Sequence, residues 1–213
     1  MGKHKTNLDT AALFAQIGEP RNTAARRTAA AHALRQQPYA AVSDGLKALA
    51  AAPSARVRAA AALILGGLQT DGRDERQQAA ALLCRLLRRG ETPAVRAAAV
   101  AALAERCRSG TFGEEEFALI EPHLAPCFFA DRPAVVRALA DAAADFPANP
   151  RNVRFLVETV ARAAPAAAKA AAAACRKHGL ADAGLTRAVE GRLAQSDTPP
   201  ALRRELLACL GGR

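Results

Sequence analysis

Histidine and cysteine are the side chains of this chain most able to bind a metal or take part in catalysis, and their spacing argues against both roles. The histidines stand at least 28 residues apart, and none is next to a glutamate. No Cys-x-x-Cys pair, His-Glu-x-x-His, Gly-x-Ser-x-Gly or phosphate-binding loop occurs. We therefore predict no catalytic residue, metal or cofactor, and read the cysteines as buried small hydrophobes in a reducing compartment. The residues are His4, His32, His123 and His178, and Cys84, Cys107, Cys127, Cys175 and Cys209.

Arginine and lysine supply the remaining chemistry, which is the binding of carboxylates and phosphates. The chain has 30 basic and 20 acidic residues, a net charge of +10. The charge is uneven: residues 1–108 carry +9, residues 109–146 carry −5 and residues 147–213 carry +6. A basic protein with an acidic centre differs from a uniformly basic nucleic-acid binder.

The basic residues recur at regular positions, which reveals the elements that position them. Six segments each place a basic residue after a turn and before an Ala-rich run, at intervals of 31 to 41 residues. Periods of this size indicate a solenoid. In residues 53–65 and beyond, apolar side chains fall at Val57, Ala61, Ile64, Leu65 and Leu68, one face of an α-helix. The recurring basic positions are Arg27, Arg58, Arg96, Arg137, Lys169 and Arg203.

A second helix precedes each of these segments, so each repeat reads as helix A, turn, helix B. The predicted A helices span 8–17, 39–52, 74–89, 114–129, 151–163 and 183–195. Ala is the best helix former and allows helices to pack closely, which suits a thin layered array. We predict an all-α protein of about six helical hairpins, with a flexible basic tail at 1–7 and one repeat domain at 8–213.

This pattern resembles the HEAT-like repeat family, of the phycobilin-lyase type, whose mark is Asp-x-x-x-Val-Arg at the start of the B helix. The match is best through Glu91, Val95 and Arg96, and again near Arg137. The resemblance implies a right-handed α-solenoid in which the six recurring basic residues form a structural ladder linking neighbouring repeats. The motif identifies the architecture well and the activity poorly. A binding scaffold is indicated by the repeat array together with the lack of any catalytic motif.

The free face of the B helices is where we expect a partner to bind. Counting 100° per residue from each ladder position, the face opposite the apolar stripe is Ala-rich and sparsely basic, and it includes Tyr39 and Asp145. The candidate partner-binding residues are His32, Arg35, Arg56, Arg108, Lys177 and Arg204.

Three functions fit this surface. The main hypothesis is a non-catalytic adaptor that binds another protein along its B-helix face. The alternative is binding of DNA through the same basic face. A second alternative is an enzyme of the HEAT-like lyases or DNA glycosylases; the glycosylases use tryptophans, which this chain lacks, and HEAT-type diiron hydroxylases need His-Glu pairs.

Residues 112–129 form an aromatic, acidic segment with a secondary candidate site. We expect a longer connection over 108–115, burial of Phe117 and Leu119, and a surface position for Phe128 or Phe129. Such a surface would bind a partner or a second copy of the chain. The alternative is that these phenylalanines fill a wider gap between unequal repeats.

The first residues of the sequence bear on where the protein is located in the cell. Residues 1–6 fit the short N-myristoylation pattern at Gly2, against the alternative of a basic tail without lipid. They lack the apolar segment of a secretory signal, and charged residues interrupt every apolar run of membrane-spanning length. We expect a cytoplasmic protein.

Overall fold

The computed structural model describes residues 9–130 and 132–211, except for the side chains of residues 129 and 130. The tail at 1–7, the myristoylation position Gly2 and the side chain of Phe129 therefore lie outside the described residues. Within the described part, the secondary structure consists of twelve α-helices. They are α1 (Thr10–Gly18), α2 (Ala24–Leu34), α3 (Tyr39–Ala51), α4 (Ala55–Gly67), α5 (Arg73–Leu86), α6 (Pro93–Arg108), α7 (Glu114–Ala130), α8 (Pro133–Ala142), α9 (Pro150–Arg162), α10 (Pro165–Lys177), α11 (Ala183–Leu193) and α12 (Pro200–Gly211).

Local sequence explains where these helices begin and end. The side chains of Asp9, Thr23 and Thr92 accept backbone N–H bonds at the starts of α1, α2 and α6. Proline occupies the first turn of α6, α8, α9 and α10, where its missing N–H costs nothing. Gly110 and Gly179 follow α6 and α10 with φ of 71° and 63°, a conformation that favours glycine. The helix pattern predicted from sequence is confirmed, but the expected longer connection over 108–115 is wrong. The turn after α6 runs over 109–113, no longer than the turn over 68–72, because the extra residues lengthen α6 and α7 to 16 and 17 residues.

The helices stack in two layers. The odd-numbered A helices pack on one another in the order α1, α3, α5, α7, α9 and α11. The even-numbered B helices form the second layer, in which α4 contacts α2 and α6, and α10 contacts α8 and α12. Each A helix also contacts the B helix of its own repeat. The chain is thus a helical-repeat solenoid, and the candidate site has to be sought on the free side of the B layer.

Alanine fills much of the space between the B helices. Ala61 and Ala62 of α4 and Ala99 of α6 are buried, as are Ala171 and Ala172 of α10. Their small side chains let helix axes approach closely, at the lower end of the usual 8–10 Å range. Close approach leaves the outer side of the B layer shallow, so a few larger side chains decide its shape.

The aromatic segment is core. Phe128 is buried and its ring stacks on Phe155 with centroids 4.8 Å apart, while Phe117 packs on Phe146 at 5.4 Å. The expected surface position of Phe128 is wrong, because its ring packs against Phe155 of α9. The expected burial of Leu119 is also wrong: half of its surface is exposed. Burial of Phe128 removes its part of the basis for self-association through 112–129, whereas the side chain of Phe129 lies outside the described residues.

None of the described helices is long and apolar enough to cross a membrane. Among the same residues, no group of three or more His, Cys, Asp or Glu side chains could hold a metal ion.

Candidate functional site

The free side of the first three B helices carries a groove of about 520 Å³. We call it the B-face groove. Its floor is apolar and comes mainly from α4 and α6, because the residues facing outward there are alanines and one leucine. Arg27 and Arg56 line one end, at the starts of α2 and α4, and Glu105 lines the other, near the end of α6. The groove is lined by Ala24, Arg27, Thr28, Arg56, Ala59, Ala60, Leu63, Ala98, Ala101, Ala102 and Glu105.

An ion pair closes the acidic end of the groove. The guanidinium of Arg35, which follows α2, donates to Glu105 of α6 and so reaches past the intervening repeat. Two glycines at the end of α4 make this possible. A Cβ at Gly66 would lie 2.6 Å from a Glu105 carboxylate oxygen and 3.0 Å from the Cα of Ala102, and a Cβ at Gly67 would occupy the position of the Arg35 guanidinium. The pair therefore joins the first and third repeats across a glycine step.

A second charged cluster follows α8. Asp145, whose side chain is only 7% exposed, accepts from Arg108 Nε and Nη2 at 3.1 and 2.5 Å and from Lys177 Nζ at 2.8 Å. Burial opposes ionisation of this carboxyl, but the hydrogen bonds from Arg108 and Lys177 outweigh it and hold the pKa of Asp145 below its usual value. Three consecutive repeats are thus tied together through one carboxylate.

Sequence reasoning placed six candidate residues on the B-helix face, and the structure distributes them differently. Arg35, Arg108 and Lys177 are ion-paired, so they hold repeats together and their positive charge is largely compensated. His32 Nδ1 lies 3.3 Å from Arg35 Nη1. Of the six, Arg56 borders the B-face groove, and Arg204 is exposed on α12, away from it. Tyr39, expected on this face, is buried because it begins α3.

The ladder residues make contacts of several kinds. Arg58 bonds Glu91 of the next repeat at 2.9 Å and the carbonyls of Ala52 and Pro53 in its own turn. Arg96 Nη2 lies 2.8 Å from the Sγ of Cys127.

The other ladder positions bond nearer in sequence. Arg27 donates to the Asn22 carbonyl, Arg203 donates to that of Leu193, and Arg137 pairs with Asp141 inside its own helix. Lys169 is exposed. Among the described contacts, Arg58 and Arg96 reach the next repeat, whereas the bonds of the other ladder arginines stay within their own repeats.

Arg106 is an internal residue that sequence reasoning missed. Its side chain is fully buried, donates to the Leu68 carbonyl at 3.0 Å and lies with its guanidinium 4.4 Å from the centre of the Phe112 ring. Burial lowers the pKa of Arg106 to about 10. It joins the end of α6 to the turn after α4 and so fixes the position of Glu105 beside it. The sequence signal for this role was a basic residue at a position of α6 where the helical repeat expects an apolar side chain. The many other arginines of the chain made that signal hard to recognise.

Burial raises the pKa of four of the cysteines, which are Cys84, Cys107, Cys175 and Cys209. None of the five forms a disulfide, and burial raises the pKa of Cys107 and Cys175 to about 12. A thiol with this pKa stays protonated at neutral pH and is a poor nucleophile or metal ligand.

Comparison with known proteins places this geometry in context. A family model of HEAT repeats matches residues 10–116. The X-ray structure of YibA from Escherichia coli superposes with a TM-score of 0.80 at 17% identity, covering 95% of this chain and 70% of YibA. A designed armadillo repeat protein solved with the peptide (KR)4 gives a TM-score of 0.56 at 16% identity, covering 96% of this chain and 99% of that one. No protein of curated function matches the sequence.

Proposed function

The chain belongs to the HEAT-repeat family, and from this premise we propose that it is a non-catalytic scaffold that binds another protein through the B-face groove. The single observation that carries the proposal is the groove itself: an open apolar floor about three helices wide, with basic residues at one end and an acid at the other. Solenoids use such concave faces to hold extended or helical segments.

The groove's size and lining favour an amphipathic helix as the bound segment. Alanine side chains on α4 and α6 let a partner backbone approach closely, and Leu63 is the largest apolar side chain available for contact. Arg27 and Arg56 favour an acidic residue at one end of that helix, since exposed charge pairs mainly set orientation and association rate. The designed armadillo protein with bound (KR)4 supports the general idea that a fold of this kind accepts peptides along its length.

The alternative, DNA binding by the B-helix face, has less support from the geometry. Three of the predicted basic residues on that face are occupied by Glu105 and Asp145. Breaking those pairs would cost any phosphate ligand part of its binding energy. We place the scaffold in the cytoplasm, a proposal supported by the absence of disulfides among its cysteines, all of which are described.

A displayed library of 16-residue amphipathic helices tests the groove. Selected peptides should bind the native chain and lose binding to Ala101→Arg, which projects a long charged side chain into the groove. The matched control is Ala118→Arg on α7, an equally exposed alanine on the A layer, which should bind unchanged. Equal loss in both variants, or failure of the library to enrich any sequence, refutes the proposal.

A further inference from the structure

Excess positive charge lies along one edge of the first three repeats. This is the edge where each A helix is connected to the B helix of its own repeat. We call residues 19–27, 52–58 and 85–91 the turn edge. Each of these three segments has two more basic than acidic side chains. The turns on the opposite edge, at 35–39, 67–73 and 108–114, carry together a net charge of only +1. Most of the excess positive charge of the first three repeats therefore lies on the turn edge and not on the opposite edge.

Contacts between repeats place the three segments side by side. Arg58 holds the second turn to the third, donating to the Pro53 carbonyl at 2.8 Å and to Glu91 at 3.0 Å. The first and second turns share a small cleft of about 120 Å³ that both Glu19 and Ser54 line. Neighbouring helices in such stacks lie 8–10 Å apart, so the turn edge extends over about 20 Å.

Arg27 and Arg58 of the turn edge are bonded within the fold, and the other arginines of the turn edge are exposed to solvent. There are six of these exposed arginines, and within the described part of the chain none of the six donates a side-chain hydrogen bond to a carboxylate. They are Arg21, Arg26, Arg56, Arg85, Arg88 and Arg89. The acids nearby are Glu91, which Arg58 occupies, and Glu19 at the outer end. This differs from the B-helix face, where several basic side chains are paired.

We propose that the turn edge binds the sugar-phosphate backbone of double-stranded nucleic acid. Arginine matches phosphate geometry with two parallel N–H bonds, and a row of about 20 Å corresponds to roughly six nucleotides of one strand. The edge presents Pro, Gly, Ser and Thr between its arginines and no exposed aromatic or large aliphatic side chain. That composition lacks the apolar centre of a protein interface and the stacking platform for single strands, but it suits backbone contacts.

The test measures binding of a labelled 20-base-pair duplex by fluorescence anisotropy between 50 and 300 mM salt. The edge variant carries Arg21→Gln, Arg88→Gln and Arg89→Gln, which leaves the B-face groove intact. Losing three phosphate contacts makes the negative slope of log K against log salt less steep by about 2.7. The affinity for the duplex falls by roughly 100- to 1,000-fold at 0.1 M salt. The charge-matched control carries Lys47→Gln, Arg151→Gln and Arg187→Gln, all on A helices, and should keep most of the affinity.

Three outcomes overturn the proposal. The two triple variants could weaken binding equally, which would make the effect one of net charge alone. The native chain could fail to bind the duplex at 50 mM salt, or its affinity could stay the same between 50 and 300 mM salt. Labelled polyglutamate could bind with the same dependence on the three arginines, which would assign the edge to an acidic protein. Ala101→Arg separates this proposal from the scaffold function, because it blocks the groove and should leave duplex binding unchanged.

Discussion

Replacing Arg106 by methionine should change the free energy of unfolding by no more than about 2 kcal/mol, whereas Arg106→Ala should lower it by about 3–5 kcal/mol. The reasoning begins with the charge. Burial lowers the pKa of Arg106 from its ordinary value to about 10, so keeping the side chain charged in the folded state costs about 3 kcal/mol. Methionine removes this cost while filling most of the same space.

The methionine variant also loses contacts of similar size. The Leu68 carbonyl loses its donor at 3.0 Å, which costs about 1–3 kcal/mol. The cation–π contact with Phe112 is lost, at about 1–2 kcal/mol. These losses offset the gain from removing the buried charge. Alanine leaves a cavity in addition, which accounts for its larger effect.

Urea unfolding followed by circular dichroism measures both variants, with unchanged m-values required for the comparison. The folded pKa lies below the unfolded one, so the cost of the charge is fully present below about pH 10 and is relieved only as the pH rises from 10 to 12.5. The comparison is therefore valid at pH 7. A loss of 3 kcal/mol or more in Arg106→Met would refute the reasoning, because the charge itself would then stabilise the fold.

Three further changes test other parts of the structure. Gly66→Ala brings a Cβ to 3.0 Å from the backbone of α6 and should lower the melting temperature, because overpacking costs about 1–3 kcal/mol; Gly67→Ala meets only a movable guanidinium and should be near neutral in the same melt. Phe128→Ala should cost about 3–5 kcal/mol in urea unfolding, since its ring is core, and a change below 1 kcal/mol would contradict that position. Acid titration of stability should show a loss as the pH falls below about 3.8, because the pKa of Asp145 is lowered in the folded state, and Asp145→Asn should remove that part of the loss.

Much of the fold was predictable from local sequence. Caps such as Thr23 and Thr92, the prolines in first turns and the 3.6-residue spacing of apolar side chains act within single helices. The repeat period predicted that the helices stack, because one hairpin cannot bury its apolar face alone. Charge pairing could not be predicted in this way. Arg35 and Glu105 are 70 residues apart, and only the stacking of three repeats over a glycine step brings them together.

The sequence by itself determined the twelve helices, their order and the repeat that stacks them, because these depend on interactions between residues close along the chain and on a periodic apolar face. Tertiary structure decided which charges are free. Stacking places Glu105 and Asp145 against basic residues of the B-helix face, and it leaves six exposed arginines of the turn edge without a carboxylate partner among the described residues. It also buried Phe128 against Phe155 and exposed Leu119, since the fit between unequal repeats depends on distances that no single helix contains.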